Sequence, residues 1–204
     1  MPVTKIAHRR DTAMGRQRQF DPEEVLDTAL DVFWRKGFEG TSVADLTAAT
    51  GVAAPGLYAV FGNKEGLFLK ALDRYQERYL AEVACALSKP DIRTAIEEFL
   101  RRNAAQLVAR DHPGCMGLNS VLSCSDDAES VRAELVKRRQ SNEAMLCQRL
   151  KRAKTEGELP DDLSPEDAMR YLTTISQGMA VHAKAGASLK QLNRIIDLSL
   201  KFWD

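Results

Sequence analysis

The chain has 204 residues, a formal net charge of zero and an aromatic content of only 6%. A chain of this length can bury a full hydrophobic core as one or two compact units, and the low aromatic content favours helices over a sheet. The neutral balance argues against a uniformly basic nucleic-acid binder. Because the sequence has neither an apolar run of about 18 residues nor a secretory segment, we predict a cytoplasmic protein that does not enter the membrane.

Residues 1–19 show no apolar periodicity and are predicted to form a mobile basic arm. Five basic residues lie before Phe20, against a single acidic residue, Asp11. Arg16 and Arg18 are predicted to follow DNA phosphates or to enter a minor groove. For residues 1–14, a solvated tail that contacts nothing fits the same pattern.

The first predicted helix begins at Asp21 and ends at Gly37. Asp21 is suited to cap the free N–H groups of the first turn, and Pro22 stands where its missing N–H matters least. Gly37 is typical of a helix C-terminus, and Phe38 is expected to fold back onto the helix. This helix is predicted to brace the segment that follows it.

Residues 41–68 are predicted to form two short helices around a tight turn, followed by the start of a third helix. Ser42 and Asp45 have the spacing of a capping box, in which each side chain bonds a free backbone N–H. Gly51 permits the positive φ that such a corner often needs. The spacing fits a helix-turn-helix, whose second helix enters the DNA major groove. An ordinary helical hairpin inside an all-α domain fits the same pattern.

Two runs in this segment, TSVADLTAATGV and GLYAVFGNKEGLF, contain both helices, an L-Y-x-x-F core and a K-E-x-L helix start. The residues concerned are Thr41, Ser42, Gly51, Val52, Leu57, Tyr58, Phe61, Lys64, Glu65 and Leu67. In this order they resemble the DNA-binding segment of the tetracycline-repressor (TetR/AcrR) family of bacterial transcription regulators. The resemblance covers about the first third of the chain, and the remainder is similar mainly in length and helical layout.

The resemblance implies which residues face DNA. Phosphate contacts would come from Thr41, Ser42, Tyr58 and Lys64. The bases would be met by the tip of the second helix, at Ala53, Ala54, Pro55 and Gly56, with Ala59 as a further candidate. This tip departs from the family's commoner pattern, because it has no Arg for guanine and no Asn or Gln for adenine. Specificity would then depend on close approach, thymine methyl groups, DNA shape and the basic arm, so we predict an A·T-rich operator under this helix.

A long helix is predicted from Lys64 to Leu87, with Asn63 as its cap. Its start touches the helix-turn-helix, and its far end lies in the remainder of the chain. We therefore predict two domains, a DNA-binding domain at residues 20–66 and a ligand-binding and dimerisation domain at residues 67–204. The long helix is expected to be the only covalent and mechanical link between them.

The rest of the chain is predicted to be helical, which gives an all-α fold of about nine helices. Breaks at residues 88–91, 111–114 and 157–160 separate the helices of this region. Ser164 and Ser188 begin the last two helices, which are mostly hydrophobic, and the final helix has apolar residues on more than one face. Together with the family resemblance, this pattern predicts a homodimer through the last two helices. Completion of a monomeric core is the alternative.

No catalytic or metal-binding pattern is present. The sequence lacks G-x-S-x-G, H-E-x-x-H, a phosphate-binding glycine loop and the E-x-x-H pair of a di-iron bundle. The four cysteines are scattered without a C-x-x-C, namely Cys85, Cys115, Cys124 and Cys147. This spacing predicts neither a disulfide framework nor a zinc site. We therefore predict that the protein is not an enzyme and carries no cofactor or metal.

The resemblance implies an effector cavity among the helices of residues 65–185. The candidates to line it are polar residues on apolar stripes and residues beside the break before residue 115. They are Asn103, Asn119, Asn142, His182, Cys115 and Met116, with Cys124 further along the same segment. Each polar residue also fits a satisfied core group, which is the more frequent case, and each cysteine fits inert packing. An effector in this cavity would swing the Lys64–Leu87 helix and move the recognition helices out of register with DNA.

These observations predict a transcriptional repressor that binds double-stranded, pseudo-palindromic operator DNA as a homodimer and is released by a small-molecule effector. One alternative is a thiol-based, redox-responsive regulator that uses Cys115 and Cys124, although neither has a basic sequence neighbour to lower its pKa. The other alternative is an all-α small-molecule carrier or enzyme that does not bind DNA.

Overall fold

The structure, a computed structural model, describes residues 20–109 and 113–203. Within these ranges the chain forms nine α-helices and no strand, which confirms the predicted all-α fold. The helices are α1 (Pro22–Lys36), α2 (Val43–Thr50), α3 (Ala54–Phe61), α4 (Lys64–Leu87), α5 (Ile92–Val108), α6 (Met116–Ser123), α7 (Glu129–Thr155), α8 (Pro165–Lys184) and α9 (Leu189–Leu200). Short 3-10 turns precede α7 and follow α9, at Asp126–Ala128 and Lys201–Trp203.

Local capping signals place the boundaries of the first helices. The Asp21 side chain caps α1, and Gly37 ends that helix with a φ of 72°. Ser42 and Asp45 form the predicted capping box before α2. Gly51 ends α2 in the left-handed region, with a φ of 70°, where a residue with a side chain would be strained. The chain can therefore turn sharply into α3.

The buried side chains divide into two hydrophobic cores. The N-terminal core contains the inner faces of α1, α2 and α3 and the first half of α4, where Leu67 and Phe68 are fully buried. The C-terminal core contains the end of α4 together with α5, α7, α8 and α9. The α4 helix contributes to both cores, and its bounds are those predicted from the sequence.

The prediction that α4 is the only mechanical link between the two parts is wrong. Met116 of α6 and Leu135 of α7 are buried in the N-terminal core, although both belong to the C-terminal part of the sequence. The indole Nε1 of Trp34 in α1 donates a hydrogen bond to the backbone carbonyl of Gly114 at 2.8 Å. The side chain of Lys184 at the end of α8 bonds the carbonyl of Arg35 at 3.2 Å. The two parts therefore also meet through α1, α6 and α8.

A buried arginine joins the end of α4 to the start of α5. The Arg149 side chain in α7 is only 5% exposed, and its guanidinium donates hydrogen bonds to the carbonyls of Leu87, Lys89 and Pro90. Glu158 lies 3.6 Å from the same guanidinium and accepts a hydrogen bond from the backbone N–H of Ile92. These contacts hold the α4–α5 connection against α7.

No single helix in the described part of the chain is long and apolar enough to cross a membrane.

Candidate nucleic-acid interface and internal cavity

The α2 and α3 helices form a compact angular unit. A three-residue turn, Gly51 to Ala53, joins them, and their axes differ in direction by 97°. Two helices crossing at about 90–120° across a short glycine-containing turn are the geometry of a helix-turn-helix. The buried side chains of α1 and the start of α4 support this unit from beneath. The α3 helix occupies the position of a recognition helix.

The α3 helix has one buried face and one exposed face. Leu57 and Phe61 are buried in the N-terminal core, whereas Pro55 and Ala59 lie on the opposite, solvent-exposed side. Their side chains are small and carry no hydrogen-bonding group, so the α3 backbone can come close to a flat or grooved surface. Ala53 is also exposed, and Ala54 is half-buried.

Gly56 has a packing role that the sequence prediction did not recognise. A Cβ at this position would lie 3.1 Å from a methyl carbon of Val52 and 3.5 Å from the ring of Phe20. The glycine therefore allows α3 to pack closely over these two side chains. A contact between the Gly56 backbone and the bases stays a prediction, whereas the direction of its Cβ points into the protein.

The predicted phosphate-binding residues are largely engaged within the fold. Thr41 is fully buried, and its hydroxyl donates to the carbonyl of Gly37 at 2.7 Å. The prediction that this hydroxyl contacts a phosphate is therefore wrong. The Lys64 ammonium donates to the carbonyls of Phe38 and Thr41, both at 3.1 Å, and lies 4.3 Å from the centre of the Phe38 ring. Lys64 thus ties the α1–α2 loop to the start of α4.

Ser42 and Tyr58 remain accessible at the surface of this unit. Ser42 is exposed, although its N–H and hydroxyl both donate to the carboxylate of Asp45. Tyr58 is half-buried against the N-terminal core. For both residues, a phosphate contact stays a prediction. Arg16 and Arg18 lie outside the described residues.

The capping box before α2 is expected to make stability depend on pH. Hydrogen bonds from Lys36, at 2.6 Å, and from Ser42 lower the pKa of Asp45 from 3.8 to about 2. A carboxyl with a lowered pKa stabilises the fold above its unfolded-state pKa and loses this effect as the pH falls through its folded-state pKa. Asp45→Asn should therefore lower the melting temperature at neutral pH, and the difference from wild type should shrink as the pH falls from about 4 to about 2.

Circular dichroism melting curves at several pH values measure this effect. The controls are the single variant Lys36→Met and the double variant Lys36→Met/Asp45→Asn. At neutral pH the loss of stability in the double variant should be no larger than the sum of the losses in the two single variants. A melting-temperature difference for Asp45→Asn that does not change with pH would contradict the role of the charged carboxylate.

A cavity of about 170 Å³ lies between α4, α5, α6, α7 and α8. Most of its wall is apolar, and the apolar side chains are Leu72, Val83, Phe99, Leu107, Leu118, Val121, Leu135, Val136, Leu146 and Ala180. Tyr75 and Tyr79 of α4 also line it, with ring planes 11° apart and centroids separated by 6.5 Å. Burial raises the pKa of both tyrosines, so both hydroxyls stay neutral.

The polar groups of the wall form short hydrogen-bonded sets. The Ser176 hydroxyl donates to Oδ1 of Asn103 at 3.1 Å, and the Tyr75 hydroxyl donates to Sγ of Cys115 at 3.4 Å. The amide nitrogen of Gln76 donates to Oδ1 of Asn142 at 3.3 Å. The wall is therefore apolar with a few fixed polar points, as in many small-molecule sites.

Of the seven residues predicted to line the effector cavity, three reach this cavity and four do not. Asn103, Cys115 and Asn142 line it. Met116 is instead buried in the N-terminal core, and His182 is exposed near the end of α8. Asn119 also lies outside the cavity wall, and its side-chain nitrogen is buried without a hydrogen-bond partner among the described residues. Cys124 packs against the N-terminal core and is likewise absent from the wall, so the prediction that these four residues line this cavity is wrong.

Sequence reasoning missed several residues that line the cavity. Tyr75, Tyr79, Ser176 and Gln177 line it but were not among the predicted residues. These residues lie on other helices than Asn103, and only the tertiary packing of the helices brings them to the same cavity. The signal that could have found them is the pair of tyrosines one turn apart on a helix that also reaches the helix-turn-helix.

The environment of the cysteines does not favour a redox role. Burial and the nearby carboxylate of Glu39 raise the pKa of Cys124 and outweigh the opposite effect of Arg132. A raised pKa lowers the thiolate fraction, and the thiolate is the reactive form.

The fold and the α2–α3 unit define a helix-turn-helix DNA-binding protein with an internal cavity in its helical C-terminal part. Sequence models of known families agree with this class. Residues 25–71 match the bacterial regulatory proteins of the tetR family, and residues 92–198 match the tetracyclin repressor-like C-terminal domain. The chain belongs to the TetR family.

Several members of this family are similar over nearly the whole chain. The HTH-type transcriptional repressor ComR of Escherichia coli (strain K12) is 36% identical over 93% of this chain and 91% of its own. The HTH-type transcriptional repressor BdcR of the same strain is 26% identical over 92% of this chain and 91% of its own. A cysteine mutant of the TetR family transcriptional regulator CifR has been solved in complex with 26-bp double-strand operator DNA. Its chain is 32% identical to this one, with a TM-score of 0.88, and the match covers 93% of this chain and 100% of the CifR chain.

Proposed function

We propose that this protein is a cytoplasmic transcriptional repressor that binds a pseudo-palindromic operator as a homodimer and leaves it when a small molecule enters the cavity. The observation that carries the proposal is the α2–α3 unit, whose exposed α3 face lies within the segment that matches the family. Relatives of similar length that are named as repressors support the same role. A regulator needs no catalytic group, and the proposal assigns none.

The exposed α3 face favours recognition by shape over hydrogen bonding to base edges. Pro55 and Ala59 offer only apolar contacts, for which the methyl group of thymine is the natural counterpart in the major groove. Lys36 is paired with Asp45 at 2.6 Å, and Lys64 donates two of its three N–H groups to backbone carbonyls, so part of the charge and donor capacity of both ammonium groups is already used within the fold. We therefore assign much of the electrostatic attraction to Arg16 and Arg18, and an A·T-rich half-site to α3.

The direct test uses the full-length chain and DNA from upstream of its own gene. Fluorescence anisotropy at a stated salt concentration measures affinity, and footprinting measures the protected sequence. Protection of two half-sites about one helical turn apart, each A·T-rich at its centre, is expected. A protein that binds no segment of this DNA would contradict the repressor and favour a small-molecule carrier. Protection of a core that contains only G·C pairs would contradict the shape-based recognition.

Exposed apolar side chains concentrate on the last two helices and support a dimer through this region. Of the six large apolar side chains that are exposed among the described residues, five lie in α8, α9 or the turn after α9. They are Tyr171, Val181, Leu189, Leu198 and Phe202, and the rings of Tyr171 and Phe202 are in contact at 5.2 Å between centroids. A monomer rarely exposes such a cluster.

Leu198→Arg is expected to weaken the dimer at least about tenfold, because it places a charge in an apolar interface. Light scattering after size-exclusion chromatography measures the association state, and operator affinity should fall in parallel since one subunit reads only one half-site. Leu122→Arg is the matched control, because Leu122 is even more exposed, at 72%, but lies on α6. A Leu198→Arg protein that remains a dimer would exclude this face as the interface.

The contacts around Tyr75 support coupling between the cavity and the DNA-binding part. The Tyr75 ring lines the cavity and packs edge-to-face on Trp34 of α1, with centroids 4.8 Å apart. Trp34 in turn bonds the carbonyl of Gly114, next to Cys115 at the start of α6. A ligand that displaces Tyr75 would therefore shift α4 relative to α1, and with it the spacing of the two α3 helices in the dimer.

A further inference from the structure

The volume of the cavity limits the size of its ligand. An engineered apolar cavity of about 150 Å³ is known to bind benzene. The cavity between α4 and α8, at about 170 Å³, is slightly larger. Its size therefore suits one aromatic ring with a small substituent.

The charged groups of the cavity wall are already paired. Arg138 lies 2.8 Å from Glu134 and 2.6 Å from Asp73, and Arg139 lies 3.5 Å from Glu143. The charged side chains that line the cavity are Arg138, Arg139 and Glu143, whereas Glu134 and Asp73 are partners outside the wall. An ionic ligand would lose its hydration without gaining a free counter-charge, and burial of an unpaired ion is strongly unfavourable. The wall thus favours an uncharged ligand.

The aromatic part of the wall favours a ring. Tyr75 and Tyr79 stand one turn apart on α4 with nearly parallel rings, and Phe99 of α5 also lines the cavity. Both tyrosine hydroxyls stay neutral, so these rings supply polarised but uncharged surface. Aromatic side chains gain stabilisation from stacked or edge-to-face contacts with another ring, beyond the area that they bury.

Asn103 supplies the polar point. Its side chain is buried on the α5 side of the cavity, and its Oδ1 already accepts a hydrogen bond from the Ser176 hydroxyl. The NH₂ group is then the donor that Asn103 can offer, and a ligand oxygen that accepts from it would gain a directional hydrogen bond in an otherwise apolar wall.

We infer that the effector is an uncharged molecule of about one aromatic ring that carries a hydrogen-bond acceptor, such as a carbonyl oxygen, bound by Asn103. This inference rests on the proposed function, because it names the ligand class of the same regulator. The inference predicts that the cavity discriminates between ligands by their charge and by the presence of a hydrogen-bond acceptor. A cavity with a purely apolar wall would not discriminate by the acceptor.

Calorimetric titration of the full-length dimer with four probes of similar size tests the inference. Acetophenone is uncharged and has an acceptor, ethylbenzene is uncharged and has none, benzoate is an anion and benzylammonium is a cation. Acetophenone is expected to bind at about 1 mM or below, and both ions at least about tenfold more weakly. An ion that binds as tightly as acetophenone, or acetophenone that does not bind at about 1 mM, would overturn the inference.

The variant Asn103→Leu tests the acceptor contact. It should weaken acetophenone binding about tenfold, which corresponds to one lost hydrogen bond, and leave ethylbenzene binding nearly unchanged. The ethylbenzene titration also reports whether the variant keeps a folded cavity. Equal losses for both probes would indicate a structural role for Asn103 and would overturn its assignment to the acceptor.

Operator affinity, measured by anisotropy with and without acetophenone, separates the two proposals. Binding of acetophenone without release of operator DNA would contradict the effector mechanism while the ligand class stands. Release of DNA by an ionic probe, with no response to acetophenone, would contradict the ligand class while the repressor stands.

Discussion

Ala59→Glu is expected to lower operator affinity by about 100-fold while the protein stays folded and dimeric. Ala59 is exposed on the side of α3 opposite to the buried Leu57 and Phe61, so a longer side chain meets no protein atom that must move. In the complex with DNA, the same side chain would push a carboxylate against the groove and its phosphates. Because a dimer carries two copies, the repulsion acts at both half-sites.

The matched control for this variant is Ala133→Glu. Ala133 is likewise an exposed alanine within a helix, but it lies on α7, in the C-terminal part. The Ala133→Glu protein should bind operator DNA as the wild-type protein does, and both variants should have the melting temperature of the wild-type protein. Anisotropy at two salt concentrations measures the affinities, and the deficit of Ala59→Glu should narrow at the higher salt concentration as charge repulsion is screened. Unchanged operator binding by Ala59→Glu would mean that α3 does not read DNA with this face.

The parts of the fold that the sequence predicted correctly are those controlled by neighbours in the chain. The bounds of α4, the capping box at Ser42, the helix start at Ser188 and the turn at Gly51 all depend on residues within about four positions. Such interactions can be read from spacing alone, because helix geometry fixes which neighbours meet. Spacing also predicted the two short helices around Gly51, whereas the family resemblance favoured a helix-turn-helix over a helical hairpin.

The roles of Thr41, Lys64 and Gly56 could not be predicted in this way. A hydroxyl or an ammonium near a helix start fits a phosphate contact, but the path of the α1–α2 loop brings the carbonyls of Gly37 and Phe38 within reach first. Gly56 appeared to belong to a smooth DNA-facing tip, yet it is the close packing of α3 over Val52 that requires a residue without a side chain. Each of these three contacts within the fold involves an atom brought near by the path of the backbone.

The cavity illustrates the same limit. Asn103 and Asn142 fall on apolar stripes and do line it, whereas His182 was selected by the same rule and lies at the surface. Periodicity shows that a helix has an inner face, but it does not show which helix that face meets. The pairing of α4 with α5 and α7 decides which polar residues converge, and this pairing is a property of the whole chain.

Arg149→Met is expected to lower the free energy of unfolding by about 3 kcal/mol. The guanidinium of Arg149 donates hydrogen bonds to the carbonyls of Leu87, Lys89 and Pro90, at the end of α4 and in the connection to α5. Methionine keeps the length and the apolar contacts of the stem but cannot donate. The three carbonyls lose their donor, and the carboxylate of Glu158 loses its cationic neighbour. Since Nη1 of Arg149 itself has no partner among the described residues, part of the burial cost is already present in the wild-type protein.

Arg152→Met, one turn along the same helix, separates this effect from the loss of any arginine on α7. The Arg152 side chain is 54% exposed and pairs with Glu156 at 3.1 Å, an arrangement that contributes at most about 0.5 kcal/mol. Urea unfolding at a fixed protein concentration measures both variants, because the stability of a dimer depends on concentration. A loss for Arg149→Met no larger than that for Arg152→Met would mean that water replaces the guanidinium at the end of α4 without cost. The α4–α5 connection would then be held by the apolar contacts of the C-terminal core alone.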